Sequence, residues 1–214
     1  QKEGFALVYG DVGLGKTTIS RIFLSSLDEN IYNTALILNP IMDEDELLRT
    51  ILKELGLKTN GSSRKELYDA LECFLLKEHR MGKETVLVID EAQLLSNELL
   101  EFIRVLSNME TEKEKILRTV LFAQPELVER LKEPSMRHLA QRITVTYKLK
   151  PFSERDVRHY ITYRLIKAGS KGTPGFTKGA ARLIYKASNG YPRLVNILSD
   201  RCMLSVYSKS KAIV

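Results

Sequence analysis

Apolar positions along this chain follow two alternating periods. Short, nearly continuous apolar runs, FALVY at 5–9, TALIL at 34–38, TVLVI at 85–89, RTVLFA at 118–123 and ITVTY at 143–147, read as strands. Between them apolar residues recur every three or four positions, the period of a helix with one buried face. That spacing predicts helices over about 15–27, 43–56, 64–80 and 97–109, with a short one over 125–131. The segment DEDELLRTILKELG has the acidic first turn and terminal glycine, Gly56, of a helix with both ends marked. Strand and helix alternate, as a parallel sheet requires. From Ser153 onward the strand pattern stops and three helical ones follow, at 154–169, 177–188 and 192–207. The change at Pro151 divides the chain into an α/β core, 1–150, and a small helical subdomain, 151–214. There is no internal repeat and no low-complexity segment.

The chemistry starts at the junction of the first strand and the first helix. There GDVGLGKTT fits G-x-x-x-x-G-K-[ST] position by position: Gly10, Asp11, Val12, Gly13, Leu14, Gly15, Lys16, Thr17, with Thr18 following. Backbone N–H groups of such a loop and of the helix start point into one concavity that suits phosphate. Lys16 is placed to reach the β- and γ-phosphates, and the Thr17 hydroxyl to take a position on Mg²⁺. The second focus is Asp90-Glu91, where the apolar run at 85–89 ends abruptly in two carboxylates. In parallel sheets the C-terminal strand ends form the ligand crevice, so both project towards the bound nucleotide. Asp90 then holds the metal, directly or through water, and Glu91 polarises the attacking water as general base. A strand-end acidic pair also suits a helix N-terminus, but a phosphate loop two helical units and one strand earlier favours the metal reading.

Composition narrows the class. With 43% hydrophobic and 28% charged residues the chain is an ordinary globular one, and no apolar run approaches the length of a membrane span. The net charge of +6 is unevenly spread: residues 1–150 hold 21 Lys and Arg against 24 Asp and Glu, residues 151–214 hold 12 against 3. A basic subdomain of this kind faces nucleotide phosphates, an acidic neighbouring subunit or nucleic acid. Cys73 and Cys202, far apart in helical patterns, read as reduced core thiols in the cytoplasm, and the three scattered histidines lack metal-ligand spacing. Because the chain opens on Gln1 with the first strand almost at once, it reads as a piece of a longer protein, any membrane anchor or partner domain lying elsewhere.

Taken together, GDVGLGKTT, VLVIDEAQLL, LSNMETEKEKILRTVLFAQPEL, LAQRI and NGYPRLVNILSDRC resemble the AAA+ ATPases. The likeness is narrower for the general secretion pathway protein A and MSHA pilus biogenesis type, relatives of transposition ATPase subunits. It implies an αβα sandwich with a five-stranded parallel sheet and a small α-helical lid, binding ATP/ADP with Mg²⁺. By position it places Gln124 as sensor 1 near the γ-phosphate and the attacking water. Arg142 takes the place of the arginine finger that enters a neighbouring subunit, with nearby Arg137 as the alternative. Arg193 takes that of sensor 2 in the lid, where Pro192 suits helix position N1 and an arginine in the first turn calls for a nearby anion.

The resemblance also implies a homo-oligomer when nucleotide is bound and secretion or pilus assembly proteins as partners. It implies a cytoplasmic domain, at the inner face of the inner membrane in the longer protein. Only QKEG precedes the first strand, so adenine contacts are unassigned. A DNA-associated regulatory ATPase of the transposition type is the alternative, favoured by the basic lid and disfavoured by the absence of a helix-turn-helix or zinc motif. A nucleotide-binding scaffold without turnover is the third, and the intact Glu91 argues against it.

Overall fold

The computed structural model describes residues 4–58, 63–109, 115–209 and 213–214. Five strands, β1 (Phe5–Tyr9), β2 (Tyr32–Ile37), β3 (Glu84–Ile89), β4 (Leu117–Ala123) and β5 (Ile143–Lys148), form one sheet in the order β2-β3-β4-β1-β5. Every pairing is parallel. The connections are helical: α1 (Lys16–Ser25) follows β1, and α2 (Glu44–Glu54) and α3 (Arg64–Arg80) lie between β2 and β3. Then α4 (Asn97–Leu106) precedes β4, and α5 (Pro125–Arg130) and α6 (Arg137–Arg142) lead into β5. Three further helices, α7 (Glu154–Lys167), α8 (Lys178–Ser188) and α9 (Pro192–Ser208), complete the chain. Two compact units result, one of residues 1–11 and 16–148, the other of 12–15 and 149–214.

Strand alternation sends the apolar side chains of the first unit to two faces. On one, register lines up Ile37, Ile89, Leu121 and Leu7 across four strands, all buried. Leu47, Ile51, Leu71, Leu100 and Ile103 of the helices following β2 and β3 cover that face. On the other, Val86, Val88 and Phe122 pack with Phe23, Leu24 and Leu27 of α1 and its end. The sheet is therefore covered on both faces, which is why its strands read as apolar runs rather than alternating ones. Capping boxes fix the starts of α2 (Asp43 with Glu46), α3 (Ser63 with Glu66) and α7 (Ser153 with Asp156). Each cap satisfies helix N–H groups that otherwise lack partners, a contribution of about 1 kcal/mol.

The second unit has its own small core. Val157 and Ile161 of α7, Ala181 and Ile184 of α8 and Val195 of α9 are buried together, with Phe152 and Tyr160 packed at 5.1 Å between ring centroids. Between α8 and α9 the chain turns through Asn189 (φ 47°) and Gly190 (φ 77°), both left-handed. A Cβ on Gly190 would meet the Phe152 carbonyl oxygen at 2.0 Å, so that position admits only glycine.

Several details differ from the sequence expectation. Residues 137–142 form a helix that apolar spacing did not announce, because so short a segment has a single fully buried apolar residue, Leu139. Among the described residues beyond Ser153 there is one strand-like contact, the Gly175–Ile213 bridge, where a helical reading alone was expected. Cys73 is exposed and so is not a core thiol, whereas Cys202 is partly buried and packs against the small core of the second unit. Cys73 lies off the Leu67, Leu71 and Leu75 row by which α3 packs. The charged turn at 111–115 and the middle of the LSNMETEKEKIL block lie mostly outside the described residues, as do residues 1–3.

Candidate nucleotide site

Three neighbouring strands deliver the candidate residues to one end of the sheet. Because β3, β4 and β1 are adjacent and parallel, Gly10 and Gln124 emerge level with one another, and Asp90 emerges beside them two residues short of Gln124. The Gly10 N–H donates to the Ala123 carbonyl at 3.1 Å, tying the start of the loop to the end of β4. Gly13 and Gly15 carry φ of 86° and 88°, angles at which an L side chain is strained, and α1 begins directly after them.

Lys16, the first residue of α1, is buried, and its ammonium donates to the carbonyls of Gly10 at 2.8 Å and Asp11 at 3.1 Å. Burial pushes this ammonium down from its ordinary pKa, opposed by the carboxylates of Glu91, Asp90, Asp11 and Glu126. The next residues, Thr17 and Thr18, are exposed, as are Asp11 and Val12, whereas Leu14 is buried.

Asp90 is only 1% exposed, and its carboxylate accepts the Glu91 N–H at 3.0 Å. Glu91 itself has φ 53° and ψ 37°, the left-handed region that a side chain of this size rarely occupies outside functional sites. Its carboxylate accepts from Gln93 Nε2 at 2.5 Å and from Gln124 Nε2 at 3.2 Å. Burial pushes this carboxyl up, but the two amide donors and the Lys16 charge outweigh it and hold Glu91 below the usual glutamate range.

Two residues at this site carry no signal in the sequence motifs. Gln93 binds in both directions: its Nε2 holds Glu91, and its Oε1 accepts the Gln124 N–H at 3.0 Å. Arg130 of α5 donates to the carbonyls of Gln93 and Leu95, both at 2.9 Å, and to Asn97 Oδ1 at 2.6 Å. It clamps the segment that leads from Glu91 to α4. Only the adjacency of β3 and β4 brings these partners together, so local spacing gave no sign of either.

The two candidate arginines of α6 are placed differently. Arg142 directly precedes β5, whose first residue Ile143 pairs with Phe5 at the start of β1. It therefore lies at the opposite end of the sheet from Gly10, about 16 Å away along five strand residues. Arg137 is exposed at the other end of α6. In the second unit, Arg193 is exposed in the first turn of α9, after Pro192, and its N–H donates to the Gly13 carbonyl at 3.2 Å.

Residues 1–131 match the family model of the AAA domain. The chain belongs to the AAA ATPase family. It is 41% identical over 207 residues to the general secretion pathway protein A of Aeromonas hydrophila, covering 96% of this chain and 38% of that protein. This AAA ATPase chain thus spans well under half the length of that relative. Among solved structures, the ORC2 protein of Aeropyrum pernix in its ADP form has a TM-score of 0.70 at 15% identity, covering 98% of this chain and 59% of that one. Cdc6p of Pyrobaculum aerophilum also reaches 0.70, at 18% identity, over 97% of this chain and 56% of that one. These two likenesses show the fold, a parallel α/β sheet with flanking helices. Nucleotide binding follows from family membership. No helix among the described residues is long and apolar enough to cross a membrane.

Proposed function

We propose that this AAA ATPase hydrolyses ATP with Mg²⁺ and uses the cycle to drive assembly of a bacterial secretion or type IV pilus machine. The observation that carries the hydrolytic part is the grouping of Lys16, Asp90, Glu91 and Gln124 at the ends of three adjacent strands, with Glu91 and Gln124 hydrogen-bonded. Backbone N–H groups of residues 10–18 and the Lys16 ammonium hold the phosphates. To do so, Lys16 exchanges its two loop carbonyls for phosphate oxygens, a better partner for a desolvated cation.

The donor set fits a magnesium ion. Thr17 offers a hydroxyl and Asp90 a buried carboxylate, hard oxygens that suit Mg²⁺ when phosphates and water complete the shell. When bound, the ion neutralises phosphate charge. Glu91, ionised well into the acid range, accepts a proton from the attacking water, and the Gln124 amide orients that water. Arg193 serves as sensor 2 in a lid-type helical subdomain, residues 151–214, and residues 1–150 make up the nucleotide-binding core.

Arg142 stands at the far end of the sheet from its own loop, which favours action on a neighbouring copy in a homo-oligomer. The secretion role rests on the 41% identity to a secretion pathway protein, and with it a place at the cytoplasmic face of the inner membrane in the longer protein. The positive charge of residues 151–214 is what favours the DNA-associated alternative.

Two substitutions test the site. Lys16→Ala removes the loop's cation and is expected to abolish nucleotide binding in calorimetric titration; unchanged affinity would remove the loop assignment. Glu91→Gln keeps shape and loses basicity, so ATP affinity stays while turnover falls about a hundredfold or more. Wild-type turnover in that variant would take the base role from Glu91.

A further inference from the structure

The second unit carries a feature that the nucleotide site does not use. One depression of about 490 Å³ lies over the starts of α7 and α8 and is lined by Arg155, Arg158, Lys178 and Arg182, with Glu154 as its one carboxylate. The spacings are those of neighbours on one helix face, three apart on α7 and four apart on α8, so each helix contributes a cation pair. The Glu154 carboxylate lies 3.9 Å from Arg182 and leaves the lining net positive. A second depression, of about 400 Å³, shares Arg158 and Ala181 with the first and continues between α7, α8 and the loop at 170–176. Its lining turns apolar, with Ile161, Leu165, Ile166 and Phe176. A third, of about 550 Å³, shares Pro174 with the second and is lined by Met203, Leu204, Val206 and Tyr207, with Asp200 as its one charged residue. Leu204 is 68% and Tyr207 84% exposed, an unusual cost for large apolar side chains unless something covers them.

We propose that this trough docks a peptide segment of a partner protein, one in which acidic residues adjoin apolar ones. Charge complementarity selects the acidic end, because three arginines and a lysine in one concavity favour carboxylates in bidentate contact. The floor selects the rest. Duplex DNA carries charge along its whole backbone and keeps its bases stacked within, so it has nothing to place against Ile161, Leu165 and Phe176. A membrane surface is flat, whereas the cations and the apolar floor are set in connected depressions. A peptide offers both chemistries in sequence, as in helix-in-groove recognition. All lining residues belong to the second unit, so this inference stands apart from the nucleotide reading and survives its failure.

A random dodecapeptide library displayed on phage and panned on the whole chain tests the proposal. The selected peptide is synthesised, labelled and titrated by fluorescence anisotropy against wild type, Arg158→Glu/Arg182→Glu and Leu204→Lys. The expected winners carry clustered Asp or Glu beside Leu, Ile or Phe. Their affinity falls about tenfold or more in the charge-reversed variant and weakens with salt, while nucleotide binding is unchanged. Should that variant fail to fold by circular dichroism, Arg155→Glu/Lys178→Glu replaces it. The proposal is overturned if no selected peptide responds to these substitutions. It is equally overturned if labelled duplex DNA or vesicles of anionic phospholipid bind more tightly than any peptide and lose binding in the same variants.

Discussion

Glu91 is held in its left-handed backbone by a network of amides, and the geometry has a consequence for pH dependence. Its carboxylate accepts from Gln93 at 2.5 Å and Gln124 at 3.2 Å, and those bonds with the Lys16 charge keep it ionised against a desolvation that works the other way. A carboxyl with a depressed folded pKa is charged above that value and protonates as pH falls through it. Turnover that depends on the Glu91 carboxylate should therefore persist below the ordinary glutamate range and decline only at lower pH. Gln93→Ala removes the shorter of the two donors and leaves burial less opposed. The acid limb of the kcat profile should then move to higher pH, while nucleotide affinity at neutral pH is retained. A limb that stays in place would mean that Gln93 only fills space. The same depressed pKa gives stability that is present above the unfolded value and lost below the folded one, so Gln93→Ala should also reduce the gain seen between acid and neutral pH.

At the level of elements, local sequence rules and long-range pairing divide the structure between them. The turn from α8 to α9 is local: Asn189 and Gly190 are both left-handed, Gly190 closes on Phe152 through its carbonyl, and Pro192 opens α9. Gly190→Ala combines a positive φ with a 2.0 Å approach to the Phe152 oxygen, so it should destabilise the chain by about 1 to 3 kcal/mol or more. The denaturant midpoint reads this, and an unshifted midpoint would contradict the close contact. Features of that kind were legible, including the acidic start of α2 and every strand of the sheet, because each depends on residues close together in the sequence. The glycine loop and the acidic pair were legible for the same reason. What was not legible depends on partners far along the chain: Gln93 meets Gln124 and Arg130 at separations of 31 and 37 residues. Short α6 failed for want of periods, and Cys73 misled because a helix of 17 residues offers polar and apolar faces to small side chains alike.

For the whole molecule, the question is whether one chain holds all of its catalytic machinery. Lys16, Asp90, Glu91 and Gln124 share one end of the sheet, but Arg142 precedes β5 at the other, separated by the length of β1. An arginine side chain reaches only a fraction of that distance, so a catalytic Arg142 has to act on another copy. Two crippled variants then complement each other. Arg142→Ala keeps an intact nucleotide site and lacks the finger, whereas Glu91→Gln still binds ATP, has a dead site and keeps an intact finger. Each alone should bind its partners in the assembly yet turn over ATP poorly, by a factor of a thousand or so for loss of a transition-state arginine. Mixed at concentrations that allow assembly, a subunit with Arg142→Ala receives Arg142 from a neighbour with Glu91→Gln, and turnover should reappear. The recovered rate should rise with total protein concentration, since assembly is bimolecular. Steady-state phosphate release from the separate and mixed proteins measures this. A mixture as inactive as its parts, while Arg137→Ala mixed in the same way does recover, would transfer the role to the exposed arginine at the start of α6.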